Sequence, residues 1–134
     1  MNIDREFERL AEYWSPRVVA TANGQFLKIA MVKGEFVWHS HAEEDEFFLV
    51  RKGVFIIRYR DGADVVLNEG DFHVVSRGVE HMTAAPEECW VIFVEPAATR
   101  HTGDVVSEQK IHREPARRAA SLGGVTGQPP VTLM

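Results

Sequence analysis

Apolar positions change their spacing early in the chain. Ile3, Phe7, Leu10 and Ala11 recur every three to four residues, the spacing of one helical face. A short N-terminal helix is therefore expected, with Asn2 or Asp4 as its cap. From Arg17 onward the apolar residues come in short runs: "RVVATA", "QFLKIAMV", "EFVWHSH", "EFFLV", "VFIIRYR", "DVVL", "FHVVS" and "CWVIFVEP". These runs are rich in Val, Ile, Phe and Trp and predict strands. Asn23-Gly24 joins the first two and is a strong two-residue hairpin signal. Lys52-Gly53, Asp61-Gly62, Glu69-Gly70 and Arg77-Gly78 punctuate the rest. About eight strands without interleaved helices predict an all-β protein, an antiparallel sandwich or barrel. After Glu95 the texture loosens, and "SLGGVTGQPP" neither holds a strand nor builds a core. The expected organisation is one barrel domain over residues 1–106, helix and hairpin included, followed by a loosely structured tail over residues 107–134.

Composition narrows the functional classes. The 134 residues suffice for one domain with a real core, and 45% apolar with 26% charged residues is ordinary for a soluble globular protein. A net charge of -5 with no basic stripe argues against a nucleic-acid or anionic-membrane partner, because either needs clustered cations to meet phosphates. Cys89 is the single cysteine, so no intrachain disulfide can form. The charged start "MNIDREFERL" is not a signal peptide, and no run reaches the roughly 18 apolar residues of a membrane span. A cytoplasmic protein is the expectation.

The densest chemistry lies in "HSHAEEDE", where His39, His41 and Glu46 occur within eight residues. Side chains two apart share a face on a strand but point nearly opposite ways on a helix. His39 and His41 can therefore meet one ion if "FVWHSH" is extended, and its composition says that it is. Glu46 opens the next run and can project inward beside them. His81, after the Gly78 turn, is the candidate fourth ligand from a distant strand. Three imidazoles and a carboxylate suit a divalent transition metal ion (Fe, Mn, Ni, Co, Cu or Zn) with open coordination positions. Such a set leaves about one positive charge on the ion, which favours an anionic or oxygen-donor ligand.

These residues resemble the cupin family. His39-x-His41, four residues, Glu46, six residues and Gly53 fit its first motif, with Gly34 one residue closer than usual upstream. Gly70, Gly78 and His81 match the second motif in spacing, while Ser76 stands in place of its proline and Ala85 of its asparagine. The resemblance covers roughly residues 25–96 and is nearest to small single-domain bacterial cupins. It implies an antiparallel β-barrel of the jelly-roll (double-stranded β-helix) type, a metal inside it, and commonly a homodimer.

Two functional classes follow. One is a metal-dependent enzyme acting on a small organic molecule by dioxygenase, isomerase or lyase chemistry, with His73 or Tyr59 as candidate catalytic acid or base. The other is a non-catalytic barrel that binds or senses a small molecule. Sensing relatives often carry a helix-turn-helix domain, and the short flanks leave no room for one, which favours the enzyme. Other residues have plainer readings. Glu43, Glu44 and Asp45 read as a solvated turn; Phe48, Val50, Ile92 and Val94 as core; Cys89 as a buried thiol; His101 and His112 as surface residues. Only one of Arg58 and Tyr59 can face inward, and His73 opposes Phe72 and Val74 in parity. Trp38 and Ser40 should face away from the ion.

Overall fold

The computed structural model describes residues 1–97 and the backbone of Asp104 and Val105. The tail expected over residues 107–134, with His101 and His112, lies outside the described residues. The order is α1 (Ile3–Glu8), β1 (Arg17–Ala22), β2 (Gln25–Glu35), β3 (His39–Ser40), β4 (Glu46–Lys52), β5 (Phe55–Tyr59), β6 (Val65–Leu67), β7 (Phe72–Val75), β8 (His81–Pro96) and β9 (Asp104–Val105). These nine strands form one hydrogen-bonded sheet, and every described strand pair is antiparallel.

Strand β8 organises the barrel. Its second half pairs β2 on one side and β4 on the other, while its beginning meets β3, β5 and the end of β2. The run "CWVIFVEP" and the extended segment expected to begin at His81 are one continuous strand. In the structure Pro86, Glu87 and Glu88 form a bulge opposite the single Lys33 of β2, since Val32 pairs with Cys89 and Gly34 with Ala85. Proline has no N–H for a ladder, so a bulge is where a strand tolerates it. Trp90 to Val94 of β8 pair β2 and β4 at the same time, which joins the two walls.

Two apolar clusters result from strand alternation. Phe48, Val50, Phe55, Ile57, Val91 and Phe93 fill the barrel interior. Phe7, Leu10, Ile29, Met31 and Trp90 seal the outer face of β2 beneath α1, with the Phe7 and Trp90 rings stacked at 4.8 Å. Asn2 caps α1 by accepting from the Arg5 N–H, and the helix stops at Glu8, short of Leu10 and Ala11. Ile92 and Val94 are corrected by one step of parity: they point to the outer face, and Val91 and Phe93 take the core positions. The hairpin at Asn23-Gly24 is as expected, both residues having left-handed φ angles of 50° and 72°. Cys89 is a core thiol, and burial pushes its pKa up to about 12. Among the described residues no helix is long and apolar enough to cross a membrane.

Candidate metal centre

The stretch before the first histidine is not the strand its composition suggested. β2 ends at Glu35, Phe36 to Trp38 lie outside any strand, and pairing resumes only at His39–Ser40. Phe36 and Val37 are nonetheless buried in the barrel core. His39 is placed by a distant partner: it pairs directly with His81 of β8, so both imidazoles share one face, with ring centroids 4.4 Å apart. Glu46 pairs with Val75 across β4 and β7 and alternates with the core residues Phe48 and Val50, which fixes it inward.

His39, Glu46 and His81 thus converge, all buried, with one ligand atom from each within 4.8 Å of the others. His81 Nε2 lies 3.8 Å from Glu46 Oε1. Two donors each about 2.1 Å from one ion lie roughly 3.0–4.2 Å apart, depending on the angle between them. The separation of His81 and Glu46 lies in that range, and the set as a whole, within 4.8 Å, would draw in by a few tenths of an ångström around one ion. The imidazoles are also oriented for it. His39 Nδ1 lies 2.8 Å from the Val37 carbonyl and His81 Nδ1 lies 3.0 Å from the Val79 carbonyl. A carbonyl only accepts, so Nδ1 carries the proton of each ring, and Nε2 is the nitrogen that His81 turns toward Glu46.

His41 stands slightly apart. Its Nε2 is 3.6 Å from Glu46 Oε2, but it does not join the compact set of three. Its Nδ1 sits 3.2 Å from Glu44 Oε1, so Glu44 is more than solvated turn. Asp45 likewise accepts from the Arg77 N–H, and the Gly78 N–H donates to the His41 carbonyl, which ties the two loops together at the site.

Both Glu46 oxygens are buried without a hydrogen-bond partner among the described residues. Burial first, and the Glu95 carboxylate second, push the Glu46 carboxyl well above the ordinary carboxylate range, while Lys28 partly opposes them. A buried carboxylate beside two buried imidazoles is a poor apolar core and suits a cation.

The remaining candidates fall on one inner surface. Tyr59 pairs with His81 and therefore faces inward, whereas Arg58 turns out to meet Glu35 and Asp64. His73 pairs with Phe48, so it too faces inward, and Phe72 and Val74 face solvent. The Tyr59 hydroxyl meets His73 Nε2 at 2.8 Å, joining two residues 14 apart in sequence. Trp38 points away as expected and lies under the Arg60 guanidinium at 4.2 Å.

Two interior residues escaped the sequence reading. Lys28 and Glu95 form an ion pair, and each is 2% exposed. The available signal was parity: Lys28 alternates with Ala30 and Val32 inside an apolar run, and Glu95 with Val91 and Phe93.

Comparison with known proteins agrees with this geometry. The cupin domain family matches residues 27–95. A solved cupin-2 domain containing protein from Shewanella frigidimarina NCIMB 400 is 42% identical, with a TM-score of 0.70, and the match covers 72% of this chain and 93% of that one. Uncharacterized protein YdbB of Bacillus subtilis (strain 168) is 31% identical over 65 residues, which are 48% of this chain and 58% of the relative. The chain thus matches a little over half the length of that relative. Hydroquinone 1,2-dioxygenase from Sphingomonas sp. TTNP3, solved with 4-hydroxybenzoate bound, shares the fold at 17% identity and a TM-score of 0.60, covering 73% of this chain and 75% of that one.

Proposed function

The chain belongs to the cupin domain family, and on that premise we propose that it is a metal-dependent enzyme acting on a small organic molecule, with His39, His41, Glu46 and His81 holding one divalent transition metal ion. The observation that carries this reading is the convergence of the buried His39, Glu46 and His81, with each imidazole held at Nδ1 by a backbone carbonyl. An ion held there would supply Lewis acidity toward a carbonyl or carboxylate oxygen, or toward water or dioxygen. The dioxygenase among the fold neighbours makes oxygen chemistry one of the classes to assay.

The protein's own contribution is an acid–base pair. Burial raises the Tyr59 pKa above 10.0 and lowers that of His73 below 6.5, so both are neutral near pH 7 and the hydroxyl donates to Nε2. His73 can then take the phenolic proton while Tyr59 takes one from a substrate, or return it in the reverse sense. In an NMR titration the His73 imidazole is expected to show a midpoint below 6.5. The sign for stability follows: the unfolded chain binds this proton more readily, so the contribution is present above pH 6.5 and is lost as pH falls through the lower folded value. Tyr59→Phe should cut turnover by about 100-fold or more with metal content unchanged; wild-type turnover would remove Tyr59 from the chemistry.

The deciding experiment is elemental analysis of protein purified without chelator, followed by metabolite retention on the loaded and apo forms. Conversion of a retained compound supports the enzyme. Retention without conversion moves the protein to the second reading, a small-molecule binding or sensing barrel.

A second copy of the chain is the proposed macromolecular partner. Strand β7 pairs only with β4 among the described residues, and its Phe72 and Val74 are 66% and 46% exposed, with Phe72 beside Phe47 at 5.8 Å. An apolar edge of this kind calls for cover. Light scattering should give a dimer at micromolar concentration, and Phe72→Asp should shift it to monomer. A wild-type monomer would refute the pairing.

A further inference from the structure

A buried salt bridge is a weak source of stability, because the desolvation of both ions offsets their attraction. The Lys28 and Glu95 pair is set in the interior wall, on strands whose neighbouring inward residues are apolar, so its position calls for another reason. Register supplies one. Lys28 pairs with Phe93 and Phe26 with Glu95, which puts Lys28 and Glu95 diagonally across β2 and β8 on the inward face. Phe47 pairs with Val94, and one further step along the same ladder sets Glu46 opposite Glu95. The three side chains therefore form a row across three adjacent strands: ammonium, carboxylate, and the carboxylate that faces His39 and His81.

Like charges directly opposite across a ladder repel. In this row the Lys28 ammonium, seated 5.8 Å and 5.7 Å from the Phe26 and Phe93 ring centroids, engages Glu95 from the far side. That leaves the Glu46 charge without a cation of its own on the side facing the imidazoles. Removing Lys28 leaves two facing carboxylates, and removing the Glu95 charge lets the ammonium draw on Glu46 itself. Either change alters the lateral forces that set the Glu46 carboxylate in front of the imidazoles.

We propose that Lys28 and Glu95 are positioning residues of the metal centre, holding the Glu46 carboxylate toward His39 and His81. This rests on the metal-binding reading above. The test is titration of the chelator-stripped full chain with Co2+, following its visible absorption bands and the Kd, with folding checked by circular dichroism. Lys28→Met and Glu95→Gln should each raise the Kd by about 10- to 100-fold and alter the bands, as loss of groups that orient a ligand does. Lys28→Arg keeps the charge and should stay within a few-fold of wild type. Should either single variant fail to fold, the double variant Lys28→Met with Glu95→Leu replaces the pair by apolar groups of similar size, which such sites tolerate. It too should bind Co2+ about 10-fold more weakly, because Glu46 has lost its lateral neighbours. Folded variants that bind with the wild-type Kd and bands would overturn the positioning role, leaving the metal site standing. A wild-type chain that binds no Co2+ would overturn both.

Discussion

His39→Ala is expected to remove the metal while the barrel stays folded. His39 is one of three buried groups within 4.8 Å of one another, and it packs edge-on against Phe36 and beside His81. Its loss leaves Glu46 and His81 with His41, which stands outside the compact set, so affinity should fall by 100-fold or more on the order of magnitude expected for a lost ligand. Folding does not depend on the ion, since the interior cluster around Phe48, Val91 and Phe93 and the outer cluster under α1 are apolar and complete without it. At an ion concentration about 100 times its Kd, binding stabilises the native state by about 2.7 kcal/mol. For a chain of this length that corresponds to roughly 10 °C in melting temperature, gained on loading by the wild type and not by the variant. His41→Ala should have the same sign and a smaller effect. Elemental analysis and paired melts with and without metal check both, and an alanine variant that holds the ion at wild-type stoichiometry would refute the ligand assignment.

The second large effect is structural. Gly53 closes the turn between β4 and β5 with φ at +86°, and it lies against the bulge of β8. A Cβ there would stand 2.6 Å from the Glu88 carbonyl oxygen and 3.1 Å from the Cys89 Cα, both backbone atoms that cannot swing aside. Gly53→Ala therefore meets a collision and a disfavoured backbone conformation together, and should cost about 2–4 kcal/mol. Gly62→Ala is the control: its Cβ would meet only the Tyr59 Cβ at 3.7 Å, an ordinary contact, and the change should stay within about 0.5 kcal/mol. Denaturant unfolding of the two variants checks the contrast, and equal stabilities would show that the bulge yields to the turn.

What the sequence determined by itself is what local chemistry controls. Short runs rich in Val, Ile, Phe and Trp marked the strands, Asn23-Gly24 specified a turn whose two left-handed residues match the strand twist, and Glu46, opening one of those runs, was expected to project inward, as it does. His39, His41, Glu46 and His81 were legible as a set because their spacing resembles a family motif, and three of them do converge. Register between distant strands was not legible, and it decides everything else. Only the ladder of β5 on β8 shows that Tyr59 and not Arg58 faces His81, and only β4 on β7 turns His73 inward to meet Tyr59. Composition mistook Phe36 to Trp38 for strand, since buried aromatic residues serve a loop that plugs a barrel as well as they serve a strand. Lys28 and Glu95 are 67 residues apart, and no local pattern links them to each other or to Glu46. A hydrophobic pattern records which face each residue takes, whereas hydrogen-bonded pairing between remote segments chooses its neighbour, and that choice exists only in the folded chain.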